Sequence, residues 1–407
     1  MNTQLIELSN TFLFIAFFIY FLAGIIFFIS VVGRKWSNRD ADEHKRQWGR
    51  FGLILTYMGL GLHLVFYILR WTGQGHAPVS NMFEYMQFLA MMTAVGFVII
   101  HKIYKILSVG VFVLPLVVTL LGWASVFDKT PQPLIPALQS IWLKLHVSTV
   151  ALSQGIFAIS FAAGLMYIIR TVSQKRLDKK TFTLEAFLAI VLMLVGFIIT
   201  TSTFSGMGYE VTFEYTNEID ELQELTYHLP AIAGPYDGFT MLSENRMNPI
   251  IHTPSWMQGV DAPRKFNTLI WSVLSGLILY GLLLLILRRR LGAALQPLLS
   301  EIKPTLLDEM QYRGIAIAFP IFTLGALIFA MIWAEEAWGR FWGWDPKEVW
   351  ALITWLFYSA YLHLRLSKGW HGSKSAWLAV TGFIIIMFNL VFVNLIIAGL
   401  HTYASGG

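Results

Sequence analysis

Ten separate runs of mainly apolar residues, each about as long as a bilayer crossing, constrain this sequence more than any other feature. A helix needs about 20 apolar residues to cross the hydrocarbon core of a membrane. Charged residues make up only 13% of the 407 residues, against about 25% in a soluble domain. The sequence therefore predicts an all-α integral membrane protein with about ten transmembrane helices. The predicted spans are residues 11–32, 51–70, 83–100, 106–127, 147–169, 183–203, 267–287, 314–334, 349–366 and 377–399.

Basic residues are distributed unevenly among the loops between these runs. Alternate loops hold 21 of the 29 Lys and Arg residues. Since loops rich in Lys and Arg remain in the cytoplasm, we expect both chain termini on the extracytoplasmic side. These loops also account for the net charge of +5, so no nucleic-acid partner is expected. The basic loops are residues 33–50, 101–105, 170–182, 288–313 and 364–376.

The chain divides into three segments by polarity. Residues 1–203 hold six predicted spans, and residues 267–407 hold four. Residues 204–266 carry nine Asp and Glu against three Lys and Arg. This acidic segment is too polar to cross the membrane, and the alternation of loops places it on the extracytoplasmic side. It forms either a small external subdomain or a lid.

Several classes of chemistry are excluded by what the sequence lacks. There is no cysteine, so this chain cannot form a disulfide, attach a c-type haem covalently or use a thiolate. Any thiol chemistry must come from a partner or a substrate. The sequence has neither the ligand spacing of a zinc site nor the repeated broken helices of an ion-coupled carrier.

The stretch WAEEAWGRFWGWDPKEVWALITW, residues 333–355, holds six of the fifteen tryptophans. Asp345 is predicted as a helix N-cap, Pro346 as the first helical residue and Glu348 as the acid of a capping box. Both acids are thus helix-start residues rather than general acids, and a structured loop at about 333–350 leads into the helix. The tryptophans form either a membrane-interface belt or an aromatic shelf for a large, planar, apolar ligand. The shelf residues are Trp338, Trp342 and Trp344.

Two of the ten histidines are predicted at the same depth as the tryptophan loop. His146 begins the fifth span and His401 ends the tenth. An imidazole on each side of the iron and an apolar wall around the ring make a haem site, although each histidine also suits an ordinary interfacial hydrogen bond. His363, in the inner half of the ninth span, indicates a second site or a buried structural histidine. His76 lies in an outer loop. It either binds a propionate, accepts or donates a proton, or orders the loop.

The tryptophan stretch and the YLHLR that follows it resemble the WWD signature of the CcsA/ResC family of the system II cytochrome c maturation pathway. Three further segments are similar to segments of that family: GHAPVSNMFEYMQFL, PALQSIWLKLHVSTVALSQ and GLHTY. The resemblance covers about residues 70–165 and 314–404.

The resemblance implies a set of site residues. His146 and His401 are the axial ligands of a haem on the extracytoplasmic side. His363 ligates a haem inside the membrane, near its cytoplasmic entry, and a CcsB/ResB-type partner chain supplies the other ligand. The family holds haem b non-covalently and transfers it to the Cys-x-x-Cys-His motif of an apocytochrome c. We therefore expect a multi-pass protein of the cytoplasmic membrane that presents haem within a cytochrome c synthase complex.

Two cationic side chains lie in the tryptophan loop. Arg340 and Lys347 are the only cations in residues 335–348, so they are the candidates for binding the haem propionates. No catalytic residue is assigned, because the reactive chemistry belongs to the haem and the haem lyase step to the two-chain complex. The alternative function is a haem b-binding electron carrier, or an exporter of haem or another hydrophobic molecule.

Overall fold

Each of the ten predicted spans contains a helix in the computed structural model. The structure describes residues 1–33, 40–131, 139–216, 222–236, 238–243, 246–254, 256–257 and 262–390. Its helices are α1 (Thr3–Val32), α2 (Ala41–Gln74), α3 (Met82–Tyr104), α4 (Gly110–Ala124), α5 (Ile141–Thr171), α6 (Lys179–Gly206), α7 (Ala262–Leu287), α8 (Leu291–Leu295), α9 (Pro304–Phe322), α10 (Ala330–Trp338), α11 (Pro346–Ser367) and α12 (Ser373–Phe388).

The length and composition of these helices confirm an all-α integral membrane protein. Within the described residues, eight helical segments are long and apolar enough to cross a membrane: α1, α2, α3, α5, α6, α7, the run Leu107–Ala124 that contains α4, and the run from Pro304 to Trp338. The two remaining predicted spans correspond to α11 and to α12, and residues 391–399 of the tenth span lie outside the described residues. The side of the membrane on which each terminus lies stays a prediction.

The chain separates into two units, the first made of residues 1–172 and 295–407 and the second of residues 173–294. In the first unit, α5 packs against α3, α9 and α12, and α1 packs along α2. α3 and α5 are buried over most of their length, which agrees with their being apolar on all sides. The three-segment division by polarity stays a prediction.

One helical run in the first unit is irregular. α9 is followed without a break by a π-helical turn, Thr323–Phe329, and then by α10. Pro320 lies just before this turn, and a proline inside a helix has no N–H to donate to the preceding turn. Pro residues and π-helical turns are common causes of bends in helices. The turn therefore changes the direction of the carbonyl groups between α9 and α10.

Among its described residues, the second unit combines α6 and α7 with five strands: β1 (Val211–Thr216), β2 (Leu222–Tyr227), β3 (Ala233–Gly234), β4 (Thr240–Met241) and β5 (Ile251–His252). The first sheet is antiparallel with the order β2-β1-β4, and β3 pairs with β5 in parallel. Val211, Phe213 and Tyr215 alternate along β1 and are buried, as expected for a strand with one face on a core. The acidic segment thus contains a small sheet with an apolar core of its own.

Replacing Gly276 of α7 with alanine is expected to destabilise the second unit by about 1–3 kcal/mol, the usual effect of overpacking. A methyl group at this position would overlap the Cα of Met193 on α6, so the two helices must move apart. The measurement is the melting temperature of the detergent-purified protein. Gly281→Ala, in the same helix, is the matched control because a Cβ there meets nothing within 4 Å. Equal melting temperatures for the two variants would contradict the close approach of these helices.

Candidate functional site

The start of α11 has the structure predicted from the sequence. Asp345 is the N-cap, and its carboxylate accepts a hydrogen bond from the N–H of Lys347 at 3.1 Å. Glu348 completes the capping box by accepting from the N–H of Gly343 at 2.7 Å and of Asp345 at 3.2 Å. The two carboxylates are engaged by backbone groups. Their assignment as helix-start residues is therefore confirmed.

The loop between α10 and α11 holds a bulky residue in an unusual backbone conformation. Trp344 has φ of 57° and is 69% exposed. A positive φ is rare for such a residue and persists only where the surroundings impose it. Glu348 supplies that restraint, because its bonds to Gly343 and Asp345 hold the backbone on both sides. Trp342 lies edge to face with Trp344, with ring centroids 6.0 Å apart.

His146 of α5 lies beside the first tryptophan of this stretch. Its imidazole is nearly parallel to the indole of Trp333, with 8° between the planes and 5.9 Å between the centroids. Its Nδ1 lies 2.9 Å from the carbonyl oxygen of Gly325. Trp338 packs edge to face against Trp333 at 4.9 Å. The structure thus brings His146 and Trp338 into contact with the same indole, that of Trp333.

A buried apolar cluster joins three stretches that are far apart in the chain. Leu143 and Trp333 are its buried members. Side chains of the loop between α2 and α3, of α5 and of α10 pack around them. These side chains are Val79, Trp142, Val147, Ala337 and Trp338. As a result, the segments that carry His76, His146 and Trp338 are neighbours.

His76 uses one ring nitrogen within the loop between α2 and α3. Its Nδ1 lies 3.0 Å from the carbonyl oxygen of Ala77 and 3.3 Å from the side-chain nitrogen of Gln74. Its Nε2 is buried and has no hydrogen-bond partner among the described residues. Nδ1 therefore helps to order the loop. A role of His76 towards a propionate stays a prediction.

A buried ion pair anchors the same loop, and it was not predicted from the sequence. Arg70 donates from Nε to Glu84 at 2.7 Å, and both side chains are fully buried. The second oxygen of Glu84 accepts from the N–H and the hydroxyl of Ser80, each at 2.8 Å. Arg70 also donates to the carbonyl of Lys129 at 2.8 Å. An arginine inside an apolar run was the available signal, because ionisable residues in spans are normally paired.

The two candidate propionate ligands differ in their surroundings. Arg340 is exposed, and its guanidinium lies against Gly343. Lys347 is partly buried, and burial lowers the pKa of its ammonium group to about 8, against the opposing effect of the Asp345 carboxylate. A second carboxylate beside Lys347 would raise this pKa, since an opposite charge favours the ammonium form.

His363 lies far from this group of residues. It is 17 residues after Pro346, or about 26 Å along α11. It is exposed on the same side as Leu356 and Ala360, which excludes the buried structural histidine. The structure thus does not bring His363 to His146.

A polar network fixes the end of α11 next to His363. One oxygen of Asp308 accepts from Arg365 at 2.7 Å, from Gln311 at 2.8 Å and from the N–H of Gly372 at 2.9 Å. Arg365 also donates to Ser375 of α12 at 3.2 Å. The network ties α11 to α9 and α12.

The predicted second axial ligand is not among the described residues, and two residues beside His146 were not predicted. His401 lies outside the described residues. Trp333 and Gly325 both contact the ring of His146, and neither was selected from the sequence. Trp333 belongs to the tryptophan stretch, whereas Gly325 has no local signal because its role depends on a helix that is distant in the chain.

Comparison with known proteins gives the same assignment as the motifs. Residues 79–210 and 268–401 match the family model described as Cytochrome C assembly protein. The chain belongs to this family. Residues 211–267, which include the five strands, lie outside both matched segments. The match is longer than the resemblance predicted, because it also includes residues 166–210 and 268–313.

Relatives named as the cytochrome c biogenesis protein CcsA support the same family. The protein from Trichodesmium erythraeum is 30% identical over 345 residues, which is 82% of each chain. The protein from Heterosigma akashiwo is 31% identical over 349 residues, 84% of this chain and 81% of the relative. The protein from Gloeobacter violaceus is 31% identical over 338 residues, 82% of this chain and 80% of the relative. The resemblance to CcsA is confirmed, and this multi-pass membrane protein has a role in cytochrome c maturation.

Proposed function

We propose that this protein is the haem-handling and haem-presenting subunit of a cytochrome c synthase complex. It moves haem b to the outer face and holds it there for thioether attachment to an apocytochrome c with a Cys-x-x-Cys-His motif. The observation that carries the proposal is the environment of His146. Its imidazole is stacked on Trp333 and hydrogen-bonded to Gly325, at the start of the tryptophan-rich stretch.

The residues present fit a haem group. His146 supplies a nitrogen ligand whose ring is oriented by a hydrogen bond from the other nitrogen, as is usual for histidines that bind metals. Trp333 and Trp338 supply apolar aromatic surface beside it, and Trp342 and Trp344 supply more on the adjoining loop. His401 is the proposed second axial ligand. The absence of cysteine agrees with a group that is held non-covalently and passed on.

Positive groups near the tryptophans suit the two carboxylates of haem. Arg340 is exposed on the loop, and Lys347 lies at the first turn of α11. A propionate beside Lys347 would pair with its ammonium group and raise the lowered pKa towards its usual value, because an opposite charge favours the ammonium form. His76 adds a buried nitrogen in the neighbouring loop. In this proposal these groups set the orientation of the ring, while the haem supplies the reactive vinyl groups and iron.

The position of His363 suits a site shared with another chain. The histidine is exposed on one side of α11, while Tyr361 and Arg365 on the other side are buried. We propose that His363 is one ligand of a haem within the membrane and that a CcsB/ResB-type partner supplies the other. The Asp308–Arg365 network holds the helix end on which His363 lies. In this proposal the outer site faces the extracytoplasmic side of the cytoplasmic membrane.

The test is the absorption spectrum, with a pyridine haemochrome assay, of the full chain purified together with the partner chain. Low-spin haem b in the complex, and maturation of a co-expressed apocytochrome c, are the expected results. A complex without haem would contradict the proposal. Haem b that exchanges electrons with quinone, in a complex that matures no apocytochrome, would favour the electron carrier instead.

Replacing His363 with alanine is expected to lower the haem bound at the site inside the membrane by about tenfold, the lower end of the loss caused by changing an outer-shell partner of a metal ligand. The reason is the loss of one axial ligand at a site for which the outer residues cannot substitute. Haem content per polypeptide is the measurement. His371→Ala is the matched control, since His371 is an exposed histidine in the loop after α11. Normal haem content in the His363 variant would show that His363 does not ligate haem.

A further inference from the structure

We propose that the π-helical turn Thr323–Phe329 is a positioning device that fixes the tautomer and the ring plane of His146 through the carbonyl of Gly325. This inference rests on the proposed function for its purpose, because a fixed tautomer determines which nitrogen meets the haem iron. The contact itself does not depend on haem. Gly325 is the positioning residue, and His146 is the residue that it positions.

The π-helical turn changes the backbone hydrogen bonding of Gly325. In an α-helix each carbonyl accepts from the N–H four residues further along the chain. The N–H of Ala330 instead reaches the carbonyl of Gly325, five residues back, and shares this bond with Leu327. Single π-helical turns of this kind occur frequently at functional sites. The altered turn leaves the carbonyl of Gly325 able to accept a second hydrogen bond from outside its own helix.

The hydrogen bond to Gly325 determines which ring nitrogen of His146 carries the proton. Its Nδ1 lies 2.9 Å from the carbonyl oxygen of Gly325. A carbonyl oxygen only accepts hydrogen bonds, so Nδ1 must carry the hydrogen. In the neutral ring the lone pair then lies on Nε2. The bond therefore selects Nε2 as the atom that ligates a metal.

The close approach of α5 requires glycine at position 325. A Cβ at position 325 would lie 2.9 Å from the backbone nitrogen of Val150 and 3.0 Å from the Cβ of Thr149. These atoms belong to α5, about one turn beyond His146. Glycine thus allows the π-helical turn to approach α5 closely enough for the bond to His146 to form. Any larger residue separates the two helices or displaces the turn.

Trp333 restrains the plane of the His146 imidazole. Trp333, which is almost fully buried, lies parallel to the imidazole within 8°. Trp333 follows the π-helical turn on the same run of helix. Since each residue of an α-helix turns the chain by about 100°, the irregular turn also sets the direction in which Trp333 points. One turn therefore supplies two restraints on His146, a hydrogen bond at its edge and an aromatic surface against its face.

The test measures the tautomer in the full chain, purified without haem and labelled with ¹⁵N at histidine. Alkaline buffer keeps the imidazoles neutral, and His146→Gln assigns the signal. The expected result for the unmodified protein is that the hydrogen lies on Nδ1. In Gly325→Ala the population with the hydrogen on Nε2 should rise on the order of fivefold, the factor that one neutral hydrogen bond contributes.

Gly61→Ala is the matched control, because this glycine also lies in a helix of the first unit and a Cβ there meets nothing within 4 Å. It should leave the tautomer unchanged. A hydrogen on Nε2 in the unmodified protein would overturn the inference, even if Gly325→Ala does not fold. An unchanged tautomer in a folded Gly325→Ala protein would also overturn it. The proposed function fails separately, if the complex with the fixed tautomer binds no haem.

Discussion

Replacing His146 with alanine is expected to reduce the haem at the outer site by about tenfold or more, since the loss of even an outer-shell partner of a metal ligand lowers affinity by about 10–100-fold. The neighbouring aromatic residues still provide an apolar surface, but alanine supplies neither a nitrogen ligand nor the contacts of His146 with Gly325 and Trp333. Remaining haem should be high-spin, and maturation of an apocytochrome c should fall with it. The pyridine haemochrome assay and the absorption spectrum provide the measurement.

Added imidazole should restore part of the low-spin spectrum, because the space left by the side chain accepts the free ring. His401→Ala should have an effect of the same size and a similar rescue. His228→Ala is the matched control, since His228 is an exposed histidine of the second unit, 3.6 Å from Glu210. If both ligand variants keep their haem and support maturation, the assignment of the outer ligands is wrong.

Replacing Arg70 with methionine is expected to cost about 3–5 kcal/mol of stability, the usual effect of removing one partner from a buried ion pair. The Glu84 carboxylate would keep its bonds to Ser80 but lose the guanidinium that balances its charge away from water. The bond from Arg70 to Lys129 would also be lost. The measurement is the melting temperature of the detergent-purified protein at neutral pH.

The double variant Arg70→Met/Glu84→Met should recover part of this loss, since removing both charges avoids a buried unpaired carboxylate. Recovery should be incomplete, because the N–H of Ser80 loses its acceptor. The control is Arg313→Met, which breaks an exposed pair with Glu309 and should cost less than about 1 kcal/mol. Equal losses for Arg70→Met and Arg313→Met would show that the buried pair does not anchor the loop.

The features that the sequence predicted correctly depend on local chemistry or on the membrane. The capping box at Asp345 and Glu348 involves groups within five residues of one another, so neighbouring side chains suffice to form it. The helix positions follow from apolar length, because a backbone inside a bilayer must satisfy its own hydrogen bonds. The family segments around His146 and Trp338 could be recognised because they are continuous in the chain.

The strands of the acidic segment were not predicted from the sequence. Val211, Phe213 and Tyr215 alternate with polar residues in a period of two, which is a strand signal. The nine acids of the segment predicted only that it is too polar to cross the membrane. Pairing of β1 with β2 and β4 then buries the alternating side chains. Polarity alone therefore excluded a membrane span without identifying the sheet.

The sequence by itself determined that this chain forms membrane-spanning helices, where the tryptophan loop meets α11, and which family the chain joins. Only the tertiary structure decided what surrounds His146, because Gly325 lies 179 residues away and its π-helical turn leaves no periodic trace in the sequence. It also decided that Arg70 pairs with Glu84 and that His363 is exposed. The physical reason is that hydrogen bonds and ion pairs between helices depend on how far each helix is rotated and shifted against its neighbour, and these quantities arise from packing over the whole unit.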